Sequence, residues 1–153
     1  MNLQFAHIEY SIQTKSIDIF NYGCDGSCPG CFNGGLKDWN LKGMSYQQVL
    51  DKVRDLVTRY TSLIDKIILV GGDPLDAYNK YSNEYIELLK GLQPLNLPIF
   101  LFTRHSLECV PHEVIQYVQY VKTGPYLEEL TCDNNICYGI KLATSNQTIH
   151  KVQ

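Results

Sequence analysis

The sequence predicts an α/β fold, an open partial (β/α) barrel of about five or six mostly parallel strands. Short apolar runs alternate with helical patterns along the chain, an order that indicates a parallel sheet with right-handed crossovers. The apolar runs are rich in β-branched residues, as expected of strands buried on both faces. The chain has 153 residues, too few for a complete eight-stranded barrel, so we expect the sheet to stay open on one side.

The predicted elements form the order βαβαβαβ. Strands are predicted at 15–22, 66–70, 98–103 and 120–124. A helix is predicted within 43–60, where Ser45 and Gln48 form a capping-box pattern; further helices are predicted around 85–92 and at 111–118. From residue 131 onward the secondary-structure signals are weak. Such sheets place their sites at the carboxyl ends of the strands, which makes the segments that follow the strands the candidate site.

Composition and charge argue against several classes of function. The net charge is -3, which gives no electrostatic reason to expect a nucleic-acid partner. No signal-peptide pattern or long apolar stretch is found, so we expect a cytoplasmic protein with no membrane partner. We expect a single domain over residues 1–153. Six cysteines in such a compartment favour free thiols for metals or chemistry over disulfides.

The stretch CDGSCPGC, residues 24–31, is the strongest chemical signal. Its cysteines, Cys24, Cys28 and Cys31, could form disulfides, join a zinc site or hold an iron-sulfur cluster. A structural zinc site needs four protein ligands, whereas a four-iron cluster held by three thiolates keeps one iron open for a substrate. Glycines between the cysteines suit a loop wrapped closely on a cluster, or simple turn chemistry.

Read with the aromatic residue that follows, CDGSCPGCF resembles the signature of the radical S-adenosylmethionine enzymes. A second segment, VGGDP at 70–74, resembles the Gly-Gly-Glu/Asp-Pro element of that family. The resemblance implies that the three cysteines bind a [4Fe-4S] cluster and that S-adenosylmethionine is the second cofactor. The residues implied to contact S-adenosylmethionine are Gly30, Phe32, Gly71, Gly72, Asp73 and Thr103, with Phe32 near the adenine and Asp73 facing the α-ammonium group.

Two later segments resemble the activating proteins of anaerobic ribonucleotide reductase. They are YVKTGPYLEEL at 120–130 and TSNQTIHKV at 144–152. This resemblance implies that the reduced cluster passes one electron to S-adenosylmethionine and that the resulting 5′-deoxyadenosyl radical takes hydrogen from a glycine of the large reductase subunit. The implied electron donor is a protein such as flavodoxin or ferredoxin. The alternatives are another short enzyme of the superfamily, either an activase of a different glycyl-radical enzyme or a 7-carboxy-7-deazaguanine synthase, and a zinc-binding interaction module.

Some residues depart from that pattern. Arg104 stands where a small residue is expected after Thr103, and residues 131–143 resemble a variable insertion. Cys132 and Cys137, within that insertion, could bind zinc, pair with a partner or be inert, and Cys109 is expected to pack as a small buried side chain. Lys122 could face the site or the solvent, and the four histidines are expected at the surface or in hydrogen bonds.

Overall fold

The predicted α/β fold with an open, partial (β/α) barrel sheet is confirmed. The computed structural model of the chain describes residues 2–26 and 34–153. Within these ranges it contains a six-stranded sheet and four α-helices. The strands of the sheet are β1 (Phe5–Ser11), β2 (Ser16–Asn21), β3 (Lys66–Gly71), β4 (Ile99–Phe102), β5 (Tyr120–Thr123) and β8 (Thr148–Lys151). The helices are α1 (Tyr46–Arg59), α2 (Pro74–Lys80), α3 (Ser82–Leu92) and α4 (His112–Ile115).

The order of the strands in the sheet follows their order in the chain, β1-β2-β3-β4-β5-β8. Strands β2 to β5 are parallel, as the alternation of strands and helices predicts, and the two edge strands are antiparallel to their neighbours. Both edge strands were absent from the prediction. Because consecutive parallel strands are neighbours, the carboxyl ends of β2, β3, β4 and β5 lie along one rim of the sheet.

The helices pack on one face of the sheet and form the main core. The predicted capping box of α1 is confirmed, since the Ser45 hydroxyl accepts from the Gln48 N–H and the Gln48 side chain accepts from the Ser45 N–H. Buried residues of the helices meet apolar strand residues; examples are Val49, Val53, Leu88, Leu89 and Val114 against Ile17, Ile67, Ile99 and Val121. No helix in the described ranges is long and apolar enough to span a membrane.

The segment from residue 131 onward covers the opposite face of the sheet. It contains a hairpin of β6 (Ile136–Cys137) and β7 (Ile140–Lys141), whose tight turn has positive φ at Tyr138 and Gly139. Ile140 and Leu142 pack with Ile68 and Phe100 of the sheet in a second, smaller core. Residues 131–143 are expected as a variable insertion. In the structure they cover the face of the sheet on which no helix packs.

Candidate functional site

A cleft of about 280 Å³ opens at the carboxyl ends of β3, β4 and β5. It is lined by residues at the ends of these strands, by the start of the cysteine loop and by the segment that covers the second face of the sheet. The lining includes Cys24, Gly71, Gly72, Asp73, Thr103, Arg104, Lys122, Gly124, Lys141 and Gln147. Of the predicted site residues, Cys24, Gly71, Gly72, Asp73 and Thr103 meet here. The predicted residues Cys28, Gly30, Cys31 and Phe32 lie outside the described residues.

Gly71, the last residue of β3, and Gly72, which follows it, allow the start of the cysteine loop to lie directly on the sheet. The Gly72 N–H donates to the Asn21 carbonyl at 2.9 Å, and the Asp73 N–H donates to the Gly23 carbonyl at 2.9 Å. A Cβ on Gly72 would lie 2.1 Å from the Gly23 oxygen, and Gly71 has a φ of +119°. Close backbone packing therefore requires glycine at these positions, and their contact with a cofactor stays a prediction.

Asp73 is a buried carboxylate that ties the end of β3 to the end of β4. It caps α2 by accepting from the Leu75 N–H at 2.9 Å, and it accepts from the Thr103 hydroxyl at 2.9 Å and from the Arg104 N–H at 3.0 Å. Burial raises the pKa of its carboxyl group, against the opposing effect of these hydrogen bonds. The predicted contacts of Asp73 and Thr103 with S-adenosylmethionine stay predictions; in the structure these two side chains bind each other.

Asp76 joins three elements around the cleft. Its carboxylate accepts from the Asp25 N–H in the cysteine loop at 2.9 Å, and it pairs with the Arg104 guanidinium at 3.0 Å and the His105 ring at 2.8 Å. Burial acts to raise the pKa of the Asp76 carboxyl, but these hydrogen bonds outweigh it and hold the pKa below its usual value. Asp76 therefore links the cysteine loop, α2 and the end of β4 as an ionised side chain.

Cys24 presents its thiol at the edge of the cleft. The Gly26 N–H donates to its Sγ at 3.3 Å, and the backbone N–H of Cys24 is held by the Lys37 carbonyl at 3.2 Å. Burial raises the pKa of the thiol, while the hydrogen bonds from Gly26 and from the Arg104 side chain act in the opposite direction. The loop thus gives this sulfur an N–H donor from Gly26, which also suits a thiolate that binds a metal.

The thiol and two carboxylates form the one group of metal-ligating side chains that the structure shows within its described ranges. Ligand atoms of Cys24, Asp73 and Asp76 all lie within 4.8 Å of one another. Arg104 and His105 contact Asp76 and so balance part of this negative charge. The three cysteines outside the predicted trio, Cys109, Cys132 and Cys137, are free thiols and join no such group among the described residues.

The expectation for Cys109 was wrong, because this residue is exposed. It lies in a short turn after β4, where its Sγ is 3.4 Å from the Ser106 hydroxyl. For Lys122, the structure favours the site over the solvent: the side chain lines the cleft, and its Nζ donates to the Gly124 carbonyl at 3.3 Å. His105 and His150 are hydrogen-bonded, to Asp76 and Thr123 respectively, as expected of histidines that are not ligands.

The TSNQ segment, 144–147, reaches the cleft through Gln147, which lines it. The Gln147 side chain accepts from the Ala143 N–H at 3.1 Å and donates to the Gly124 carbonyl at 3.3 Å. The Asn146 side chain donates to the Pro125 carbonyl at 2.9 Å. These contacts fasten the end of the chain to the loop that follows β5.

Sequence reasoning missed the roles of Asp76, Arg104 and His105. A signal for Asp76 was present, since Asp-Pro-Leu-Asp at 73–76 combines an N-cap residue, proline at the first helical position and a second acidic residue in the first turn. The segment was interpreted as a turn and a cofactor motif, so α2 was not predicted. No local pattern could pair Arg104 with Asp76, because their contact depends on how β4 lies beside β3.

Three comparisons with known proteins bear on the family of this chain. No curated protein matches the sequence. A solved structure, SuiB of Streptococcus suis, superposes with a TM-score of 0.44 at 17% identity over 63% of this chain, and this chain spans 19% of the SuiB chain. The family described as "4Fe-4S single cluster domain" matches residues 15–150. Because this match includes all the predicted cysteine ligands and nearly the whole sheet, the chain belongs to the 4Fe-4S single cluster domain family.

Proposed function

We propose that this chain is a radical S-adenosylmethionine enzyme that activates anaerobic ribonucleotide reductase. In this proposal Cys24, Cys28 and Cys31 hold a [4Fe-4S] cluster, and S-adenosylmethionine is the second cofactor. A glycine of the large reductase subunit is the substrate, and a flavodoxin or ferredoxin is the electron donor. The observation that carries the proposal is the sequence CDGSCPGCF at 24–32, in a chain of the 4Fe-4S single cluster domain family.

The described part of the cysteine loop fits an iron-sulfur cluster. Cys24 lines the cleft, and its sulfur receives an N–H donor from Gly26, the kind of contact that cluster sulfurs receive in proteins. The loop is fastened at both sides of this cysteine, by Gly23 to β3 and by Asp25 to α2. These contacts hold Cys24, the first of the three proposed ligands, at the rim.

A [4Fe-4S] cluster with an open iron supplies one-electron reduction of a chelated S-adenosylmethionine, which yields methionine and a 5′-deoxyadenosyl radical. The protein contributes position and exclusion of water. Gly71 and Gly72 give the cleft a wall without side chains, while Thr103 orders the end of β4 through its bond to Asp73. Leu142, which packs with Ile140 against the sheet, also lines the cleft.

The choice of reductase as partner is supported by the two segments that resemble its activating proteins. Residues 120–130 include β5 and the loop after it, and the TSNQ segment binds that loop through Asn146 and Gln147. The two segments therefore form one continuous structure beside the cleft. The sheet ends in separate edge strands, β1 and β8, so its rim is not enclosed by a full barrel, and a loop of a large partner has room to reach the cleft.

The cluster and cofactor parts of the proposal are tested with anaerobically purified protein. We expect about four irons and about four sulfides per chain, no stoichiometric zinc, and reductive cleavage of S-adenosylmethionine with dithionite. Substitution of Cys24, Cys28 or Cys31 by Ala should abolish cleavage. Stoichiometric zinc without sulfide, or full cleavage by the Cys28→Ala protein, would refute this part.

The partner is tested by electron paramagnetic resonance. The reduced holoprotein is mixed with S-adenosylmethionine and the large reductase subunit, and we expect a glycyl radical signal on that subunit. A subunit whose target glycine is replaced by Ala is the matched control. Cleavage of S-adenosylmethionine without any glycyl signal would refute the reductase as substrate and leave the cofactor chemistry standing.

A further inference from the structure

Arg104 lies between the cysteine loop and the two buried carboxylates. It follows Thr103 at the end of β4, and its side chain is 27% exposed. Its Nη2 donates to the Asp76 carboxylate at 3.0 Å, and its backbone N–H donates to Asp73 at 3.0 Å. These contacts hold the guanidinium in one orientation at the edge of the cleft.

The same guanidinium contacts the cysteine loop. It lines the same cleft as Cys24, and a Cβ placed on Gly26 would lie 2.5 Å from its Nε. The Nε atom is buried and has no hydrogen-bond partner among the described residues. The Nε lies 3.8 Å from the Asp73 carboxylate, so the guanidinium lies between the two carboxylates and the start of the cluster motif.

A positive group in this position favours the reduced form of a cluster. Reduction adds one negative charge to the cluster and its thiolates, and N–H donors and nearby cations stabilise that charge. Without Arg104, the Cys24 sulfur would face the carboxylates of Asp73 and Asp76 alone in this cluster of side chains, in which the three ligand atoms all lie within 4.8 Å of one another. Those negative carboxylates would lower the reduction potential of the cluster, and the positive guanidinium counteracts them.

We propose that Arg104 raises the reduction potential of the cluster by holding its guanidinium against the Cys24 end of the loop. Removal of this charge should make the cluster harder to reduce. The inference rests on the cluster, which the family assigns, and holds whether or not ribonucleotide reductase is the partner. Arg104 is a departure from the activating proteins that the chain resembles, so the effect distinguishes this protein from them.

The test is a redox titration of the reconstituted cluster with dithionite and mediators, in which the oxidised cluster takes up one electron. The reduced, paramagnetic form is measured by electron paramagnetic resonance. We expect Arg104→Gln to lower the ratio of reduced to oxidised cluster at a fixed potential by about tenfold, which is about 59 mV for one electron. Arg104→Lys keeps the charge without the planar fork and should lower the ratio by about threefold.

Arg54→Gln is the matched control, because Arg54 lies on α1 and pairs with Asp51 at the surface. Iron and sulfide content are measured for every variant. A ratio in Arg104→Gln within about twofold of the wild type, with full iron content, would overturn the inference. If Arg104→Gln retains no iron, Arg104→Met, which also removes the charge, decides: a ratio about tenfold below that of the wild type, and so below that of Arg104→Lys, supports the inference, and a ratio equal to that of Arg104→Lys overturns it.

Discussion

Replacement of Gly72 by Ala should separate the cysteine loop from the sheet. The new Cβ would lie 2.1 Å from the Gly23 carbonyl oxygen and 2.6 Å from the Gly23 carbonyl carbon. Ordinary contact begins at 3.4 Å, and the clashing atoms are backbone, which has no rotamer to relieve the overlap. The end of β3 and the start of the loop must therefore move apart.

The loss in the free energy of unfolding can be estimated from the contacts that this movement breaks. Two hydrogen bonds cross the contact, from the Gly72 N–H to Asn21 and from the Asp73 N–H to Gly23, both at 2.9 Å. Each contributes about 1 kcal/mol to the free energy of unfolding, and forcing an extra methyl into a packed site costs about 1–3 kcal/mol. We expect Gly72→Ala to lower the free energy of unfolding by about 3–5 kcal/mol.

The assay is urea unfolding of the apoprotein, together with iron and sulfide content after reconstitution. Gly35→Ala is the control, since a Cβ at Gly35 meets nothing within 4 Å. We expect the control to unfold like the wild type and Gly72→Ala to bind less iron, because Gly23 immediately precedes the first ligand. Stability and iron content of Gly72→Ala equal to those of the control would refute the reasoning.

Three further outcomes are expected. Gln147→Ala should lower the free energy of unfolding by about 2 kcal/mol, because it leaves the N–H groups of Ala143 and Thr144 and the Gly124 carbonyl without this partner. Gln116→Ala, at an exposed site, should cost less than about 0.5 kcal/mol in the same urea assay. The Asp76 carboxyl has a pKa below its usual 3.8, so it stabilises the fold above that pH and loses this effect as the pH falls below it. The unfolding free energies of wild type and Asp76→Asn should therefore differ most near neutral pH and converge in acid; a constant difference would contradict this. Cys132→Ala should keep the iron content of the wild type, and loss of iron would show that the hairpin segment takes part in binding.

Much of the fold follows from local patterns in the sequence. Apolar runs such as 66–70 must be buried on both faces. This requirement predicts parallel strands that are connected by helices packed on the sheet. Capping residues such as Ser45 mark a helix start because they bond the free N–H groups of its first turn. The edge strands were missed because each pairs on one side only and keeps polar residues half exposed, as in β8 (Thr148–Lys151).

By itself the sequence determined the cysteine trio, the order of the parallel strands and the segments that meet at their carboxyl ends, since these depend on spacing and periodicity. Only the tertiary structure decided which side chains face one another there. Asp76 lies after β3 and Arg104 after β4, and their side chains form an ion pair. Residues 140 and 142 cover a face of the sheet whose strands come earlier in the chain. Such contacts join residues that are distant in sequence, so no local pattern encodes them. They arise because buried charges need partners and an exposed apolar face needs cover.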